Sequence, residues 1–251
     1  MTAVPSAKRV LKFTVWANLA IILFATCLGL VKTGNPSRYF GEGRFTTGIS
    51  CLQLLLVAFL AFRVFRLRGE NRDRSRSGRW LWLLIAAGFA FLCADDALQI
   101  HESLDRRIHK VFHLQKTGIS DRIDDAIIAL YALIGIAVLW SFRKEMTQFK
   151  AMRRPLIQGF VIMGVSIVCD TLSNREDVIL WIVHDMPLAK KIDGWLSVGD
   201  GAFSLLAEGL FVVAFYVALE IARTLGAPES RNLAAPSTSG KEAREHASEP
   251  V

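Results

Sequence analysis

The chain has 251 residues, of which 52% are hydrophobic and 21% are charged, and its formal net charge is +7. The apolar residues form blocks of about twenty with few charges, which match a bilayer core and exclude a soluble globular domain. The basic balance does not indicate nucleic acid, because the lysines and arginines lie in short segments between apolar blocks rather than on a basic, aromatic-rich face.

Six apolar blocks predict six transmembrane helices, because backbone amides inside lipid are satisfied within helices. The first block follows Lys8 and Arg9. It is too long for a cleaved signal peptide and lacks a small-residue cleavage site. The fifth block begins at Pro155, which suits the first turn of a helix. The predicted spans are about 10–31, 46–67, 80 onward, 122–142, 155–171 and 200–222.

Residues 178–196 lie between the fifth and sixth spans and read VILWIVHDMPLAKKIDGWL. Their apolar core is too short to cross a bilayer, which predicts an interfacial or re-entrant segment. Residues 226–251 have almost nothing to bury and predict a disordered tail. The predicted fold is therefore an all-α polytopic membrane helix bundle over 10–225, with a cytoplasmic N-terminal segment 1–9.

The distribution of Lys and Arg predicts the orientation of the bundle. If the N-terminus is inside, the inner segments carry more basic residues than the outer ones, with the densest cluster at 63–79. This bias predicts a bacterial inner-membrane protein with both termini in the cytoplasm.

Acidic residues of four predicted spans fall in the outer half of the bundle. Asp95 and Asp170 each lie about 22 Å along an outward-running helix, and Glu208 lies about 12 Å inside the sixth. Asp124 and Asp125 fall in the first turn of the fourth span and can also act as helix caps. One ionised acid facing lipid costs about 2.5–3.5 kcal/mol. The acids are therefore expected to converge on a polar cavity open to the periplasm.

Helical periodicity predicts which of these acids share a face. At about 100° per residue, Asp95, Gln99 and Glu102 form one stripe on the third span. Asp200 and Glu208 follow one another on the sixth, although Asp200 can equally be an N-cap.

The most distinctive motif is Asp95-Asp96, four residues, then His101-Glu102. Carboxylates with histidine favour hard divalent cations such as Mg, Mn, Ca or iron. On an ideal helix His101 points about 120° away from Asp95, so both can bind one ion only if the helix loosens there. The predicted ligands of a divalent metal ion are Asp95, Asp96, His101, Glu102, Asp170 and Glu208.

This motif resembles that of an uncharacterised group of bacterial multi-pass membrane proteins with DDxxxxHE on a central transmembrane helix. The resemblance extends over about residues 80–220, to Asp170 on a later helix and to Glu208-Gly209 on the last one. It implies a multi-pass fold and no settled activity. Alkaline-ceramidase-like hydrolases carry a His-x-x-x-His pair on a late helix, whereas the sixth span here has no histidine.

The leading functional hypothesis is a metal-dependent membrane enzyme with Asp96, His101 and Glu208 as catalytic groups. A metal-activated water would attack a lipid-linked or small amphipathic substrate. A proton- or cation-coupled transporter would use the same acids without chemistry. The third hypothesis is an accessory subunit of a membrane complex. Membrane lipids are the expected partners in each case.

The four cysteines all fall in the outer halves of their predicted helices. In an oxidising periplasm two disulfides are conceivable, and apolar packing is the alternative. The conceivable pairs are Cys27 with Cys51 and Cys93 with Cys169.

Overall fold

The computed structural model describes residues 5–41, 43–70, 78–112, 123–173 and 176–226. Within these ranges the chain is helical and contains no strand. The predicted all-α class is therefore confirmed. The predicted disordered tail, 226–251, lies outside the described residues except for Gly226, which is helical.

Nine α-helices and two 3-10 segments occur in the described ranges. The α-helices are α1 (Pro5–Thr33), α2 (Phe45–Glu70), α3 (Gly78–Leu98), α4 (Ile100–Val111), α5 (Ile123–Ser141), α6 (Arg143–Met146), α7 (Arg153–Ser173), α8 (Glu176–Val183) and α9 (Met186–Gly226). The 3-10 segments are Pro36–Tyr39 and Thr147–Met152.

Five segments of the described chain are long and apolar enough to cross a membrane. They are Ala7–Thr33, Phe45–Gly69, Gly78–Leu98, Arg143–Ser173 and Met186–Leu225. The fourth predicted span corresponds to α5, in which the described apolar stretch is the shorter Leu130–Ser141. By length and composition, these helices are compatible with an integral membrane protein.

Helix α9 is the centre of the bundle. Of its most apolar window 72% is buried, against 17–39% for the other four candidate spans. It packs against α1, α2 and α7. Aromatic side chains of α3 also reach it, since Trp82 meets Phe215, and Phe89 meets Phe211, edge to face. A residue facing inward from α9 is therefore surrounded by protein rather than lipid.

The last helix begins earlier than the sequence predicts. Helix α9 starts at Met186, so the segment predicted as interfacial consists of α8 and the first turns of α9. The two helices meet where His184 takes a left-handed conformation, with φ of 57°. Asp200 thus lies inside α9, and its interpretation as an N-cap is wrong. Within this helix Phe40 approaches so closely that a Cβ on Gly201 would lie 2.7 Å from it.

The third predicted span ends within its acidic motif. Gln99 has the left-handed angles φ 51° and ψ 50°, so α3 stops at Leu98 and α4 begins anew. The predicted continuous stripe from Asp95 to Glu102 is therefore wrong. The break is stabilised because Oδ1 of Asp95 accepts the backbone N–H of His101 at 3.0 Å. That amide belongs to the first turn of α4 and has no partner within the helix.

The two ends of the bundle are named here by residues that lie at them. The Tyr39 end contains the Pro36–Tyr39 segment and the first turns of α9. The Glu145 end contains α6 and the C-terminal part of α2. Lysines and arginines of the N-terminal segment lie at the Glu145 end, where Ala7 packs on the same apolar core as Val64 and Met146.

Candidate functional site

A serine on α2 joins two carboxyl groups from α3 and α9. The hydroxyl of Ser50 lies 2.6 Å from Oε1 of Glu208 and 3.0 Å from Oδ2 of Asp96. These three residues, from separate helices, form the hydroxyl–carboxyl cluster. The sequence analysis places both acids in one predicted ligand set, and in the structure they meet at Ser50, which the sequence does not single out.

Glu208 is the most enclosed acid of the cluster. Its exposed fraction is 2%. It lies more than 20 residues into α9, and Ser204, one turn earlier, donates to its Oε1 at 3.3 Å. Its Oε2 is buried and has no hydrogen-bond partner among the described residues. One oxygen of Glu208 thus has two hydroxyl neighbours and the other has none in this part of the chain.

The short distances around Ser50 constrain where protons lie. Oxygens that are 2.6–3.0 Å apart need a hydrogen between them, and a hydroxyl brings only one. Ser50 therefore donates to Asp96 or to Glu208, and the other carboxyl must donate to Ser50. An alternative is a cation bound by both groups. The cluster can accordingly hold a proton or a cation.

Close helix packing encloses the cluster on the α1 side. Nδ2 of Asn18 donates to the carbonyl of Leu205 at 2.8 Å, and Gln53 donates to Oδ1 of Asn18 at 2.8 Å. This approach requires Gly209, because a Cβ there would collide with Asn18 and lie 2.9 Å from Thr14. Gly209 thereby allows α1 and α2 to pack closely over Glu208.

The break in the third span creates a buried pair of Asp95 and His101. Nδ1 of His101 lies 2.8 Å from Oδ2 of Asp95, and both side chains are buried. The sequence predicts that these residues can meet only if the helix loosens, and the turn at Gln99 brings them together. A carboxylate fixes the orientation of an imidazole, a feature of metal-binding and proton-transferring histidines.

A serine of α7 hydrogen-bonds to an acid of α9. Ser166 donates to Oδ1 of Asp200 at 2.6 Å and so links α7 to α9. Asp170 lies one turn beyond Ser166 and is half-buried. Glu102 belongs to α4, but its side chain lies outside those described, as do the side chains of Asp124 and Asp125.

The acids thus occur as small groups. Among the described side chains, no three of His, Cys, Asp and Glu lie close enough together to hold a metal ion. The structure brings Asp96 to Glu208, and Asp95 to His101. The proposed six-residue ligand set includes Glu102, so its metal role stays a prediction.

A buried ion pair at the Glu145 end is absent from the sequence-based prediction. Arg68 donates from Nε and Nη2 to the two oxygens of Glu145 at 2.8 and 2.9 Å. Trp82 donates to the same carboxylate at 3.3 Å, and Gln148 accepts from Arg68 at 3.2 Å. In the sequence, the only indication of this pair is that Glu145 is an acid in an otherwise basic segment, next to Met146 and close to Phe142.

All four cysteines are free. The sulfur of Cys51 lies 3.6 Å from the carbonyl oxygen of Cys93, so its neighbour is on α3 rather than Cys27. Cys169 faces α9, where a Cβ on Gly199 would lie 3.4 Å from its sulfur. Cys51, Cys93 and Cys169 are at least partly buried, Cys27 is exposed, and neither conceivable disulfide is present.

The sequence signature of one protein family, described as a domain of unknown function (DUF8692), matches residues 10–186, more than half of the chain. The chain belongs to this family. The match contains Ser50, Asp95, Asp96 and His101 and ends at the first residue of α9, before Glu208. Neither a search of curated proteins nor a search of solved structures finds a match.

Proposed function

We propose that the chain is a proton-coupled membrane transporter whose proton site is the hydroxyl–carboxyl cluster of Ser50, Asp96 and Glu208. The observation that carries this proposal is the single hydroxyl held between two carboxyl oxygens at 2.6 and 3.0 Å. Two ionised carboxylates and one serine hydroxyl bring a single hydrogen to these two contacts. A second hydrogen is needed, so one carboxyl group must be protonated.

Burial favours Glu208 as the acid that holds this proton. Its carboxyl group is 2% exposed and forms no ion pair with the described residues. An ionised carboxylate in such a place is costly, whereas a neutral one loses little. If Oε1 of Glu208 carries the proton, its unpartnered Oε2 is only a neutral carbonyl oxygen. The Ser50 hydroxyl then donates to an ionised Asp96.

The same geometry supports a relay of the proton. The hydrogen on Glu208 passes to the oxygen of Ser50 while the Ser50 hydrogen passes to Oδ2 of Asp96. The products are an ionised Glu208, an intact serine and a neutral Asp96, so atoms and charge balance. Asp96 is half-buried, whereas Glu208 is enclosed. Asp96 is therefore the acid that exchanges protons with the surroundings.

The direction of coupling follows from the proposed orientation. The basic segments of the Glu145 end favour the cytoplasmic side of a bacterial inner membrane under the positive-inside rule. The Tyr39 end then faces the periplasm. Ser50 lies only five residues after the start of α2, at that end. We infer that protons enter from the periplasm and that binding at Glu208 alters how α2 and α3 pack on α9.

Infrared spectroscopy of the purified protein tests the proton directly. A protonated carboxyl group gives a carbonyl band distinct from that of a carboxylate, and the proposal expects such a band at neutral pH. It should disappear in Glu208→Gln. The matched control is Glu220→Gln on the same helix, where Glu220 pairs with Arg223 near the surface. An unchanged band in Glu208→Gln would refute the assignment.

Flux measurements test the transport function. Vesicles containing the chain and a pH-sensitive dye should acidify when a proton gradient is applied together with a transported solute. Glu208→Gln should reduce the rate at least tenfold, and Ser50→Ala should reduce it less. Glu220→Gln should match the wild type. Equal proton flux in Glu208→Gln and wild type would exclude Glu208 as the coupling acid.

A metal-dependent enzyme is the second candidate, favoured by the Asp95–His101 pair. The carboxylate orients the imidazole as in histidine ligands of metals. Asp96, Glu208 and the remaining predicted ligands would supply oxygen donors to a divalent ion that activates water. Elemental analysis distinguishes the two candidates, since stoichiometric metal that is lost in Asp95→Asn supports the enzyme.

A further inference from the structure

An open cavity lies at the Tyr39 end, and its lining includes no residue of the hydroxyl–carboxyl cluster. Its volume is about 550 Å³. The end of α1 and the following turn form one wall, and the first turns of α9 form the other. Its lining includes Leu30, Asn35, Lys190, Lys191, Asp193 and Trp195. A cavity of this size is in the range of small-molecule sites.

The charge of this cavity suits a singly charged anion. Lys190 and Lys191 carry two positive charges and Asp193 one negative charge, which leaves a formal charge of +1 on the described lining. Neither lysine forms an ion pair with a described residue. Both side chains are exposed and can reach into the opening. A phosphodiester has a single negative charge, which this lining neutralises.

The walls of the cavity are fixed in place by packing. A Cβ on Gly29 would lie 2.6 Å from the carbonyl oxygen of Asn35, so the turn folds tightly onto α1. Oδ1 of Asn35 accepts from the amide and the hydroxyl of Ser37, each at 2.9 Å. Beneath the turn, Phe40 packs in a small apolar cluster with residues of α1 and α9. The cavity therefore does not depend on a ligand for its shape.

Apolar side chains around the opening indicate the level of a membrane surface. Trp195 in the lining is 53% exposed, and Trp181 on the preceding helix is 76% exposed. Val31 beside the α1 wall is 85% exposed. Tryptophan is enriched where hydrocarbon meets headgroups, and lysines bind lipid phosphates at that level. Leu30 and Trp195 supply apolar surface to the lining, and Trp195 lies four residues after Lys191 on α9, about 6 Å further along the helix.

We propose that this cavity binds the phosphodiester of a phospholipid headgroup, with Lys190 and Lys191 neutralising the phosphate and Leu30 and Trp195 contacting the acyl chains. Free inorganic phosphate shares the anionic chemistry but lacks the chains and carries more charge at neutral pH. The proposal is independent of proton coupling at Glu208, because it uses different residues at the end of the bundle.

Binding to the full chain in an uncharged detergent tests the site. The probes are dihexanoyl phosphatidylglycerol, dihexanoylglycerol without phosphate, and inorganic phosphate, each followed by titration calorimetry. Phosphatidylglycerol should bind most tightly. The double variant Lys190→Gln/Lys191→Gln should weaken it about thirtyfold, because each lysine near a lipid phosphate contributes about a fivefold factor. The matched control, Lys144→Gln/Lys150→Gln at the Glu145 end, should bind as the wild type does.

A second variant keeps the charge and fills the space. A Cβ on Gly194 would lie 3.7 Å from Asn35, an ordinary contact, so Gly194→Leu is tolerated and its side chain occupies the cavity. It should weaken phosphatidylglycerol at least tenfold with helicity unchanged by circular dichroism. The proposal fails if both variants bind phosphatidylglycerol as the wild type does. Inorganic phosphate that binds as tightly as phosphatidylglycerol would overturn the lipid assignment, as would equal binding of dihexanoylglycerol.

Discussion

Two buried glutamates, Glu145 and Glu208, differ in how the charge of a buried carboxyl group is compensated. Glu145 lies at the end of the bundle and accepts hydrogen bonds from Nε and Nη2 of Arg68 and from the Trp82 indole. Glu208 lies in the middle of α9, where its described neighbours are two hydroxyls and a second carboxyl. The first carboxylate is neutralised by a cation, whereas the second needs a proton or a bound cation.

This difference separates a structural acid from one that can change state. An ion pair with bidentate geometry holds α2 against α6 and contributes to the fold only while both partners are present. A carboxyl whose neighbours are hydroxyls and another acid can exchange its proton without breaking a salt bridge. Burial alone therefore does not identify a functional acid in this bundle, and the chemistry of the neighbours does.

The largest expected effect comes from breaking the ion pair. Arg68→Gln leaves the Glu145 carboxylate buried without its cation and should lower the free energy of unfolding by about 3–5 kcal/mol. Thermal unfolding in detergent, followed by tryptophan fluorescence, measures the change. Arg66→Gln is the control, since Arg66 lies two residues away on the same helix and is less buried. Equal stability of the two variants would show that the ion pair contributes nothing.

A smaller effect is expected where α1 closes over Glu208. Gly209→Ala places a methyl group against Asn18 and 2.9 Å from Thr14, so α1 must shift. Overpacking of this kind costs about 1–3 kcal/mol. Gly164→Ala on α7 is the control, because a Cβ at Gly164 would have no described atom within 4 Å and alanine favours helix. If both variants unfold at the same temperature, the close approach at Gly209 is not needed.

The smallest change in stability is expected at Glu208 itself. If Glu208 is protonated as proposed, Glu208→Gln replaces a neutral carboxyl by a neutral amide of nearly the same shape, so the free energy of unfolding should change by less than about 1 kcal/mol. Glu145→Gln, by contrast, should destabilise the bundle strongly because it leaves Arg68 uncompensated. Parallel unfolding of both variants measures the difference. A similar loss in the two would mean that Glu208 is ionised and paired.

Much of the helical architecture is predictable from hydropathy. The first, second and fifth predicted spans correspond to α1, α2 and α7, because long apolar stretches in lipid have few alternatives to helix. Two local features are missed. The left-handed turn at Gln99 is stabilised by a side-chain contact from Asp95 to the His101 amide, and the early start of α9 accompanies the close packing of Phe40 on Gly201, so both involve tertiary or side-chain contacts that hydropathy does not report.

The site is predictable only in part. Hydropathy identifies Asp96 and Glu208 as acids that avoid lipid, and their depths suggest a common level. Ser50 lies 46 residues before Asp96 and 158 before Glu208, so its position between them follows from helix packing and not from any local pattern. The Arg68–Glu145 pair is likewise separated by 77 residues.

The unbroken length of α9 has a mechanical consequence. Its 41 residues form one rod of about 60 Å, on which Lys190 precedes Glu208 by 18 residues, or about 27 Å. With no hinge between them, a tilt of about 10° pivoting at Glu208 displaces Lys190 by about 5 Å. A ligand that binds at Lys190 and tilts α9 would therefore also change the angle at which Glu208 meets the neighbouring helices.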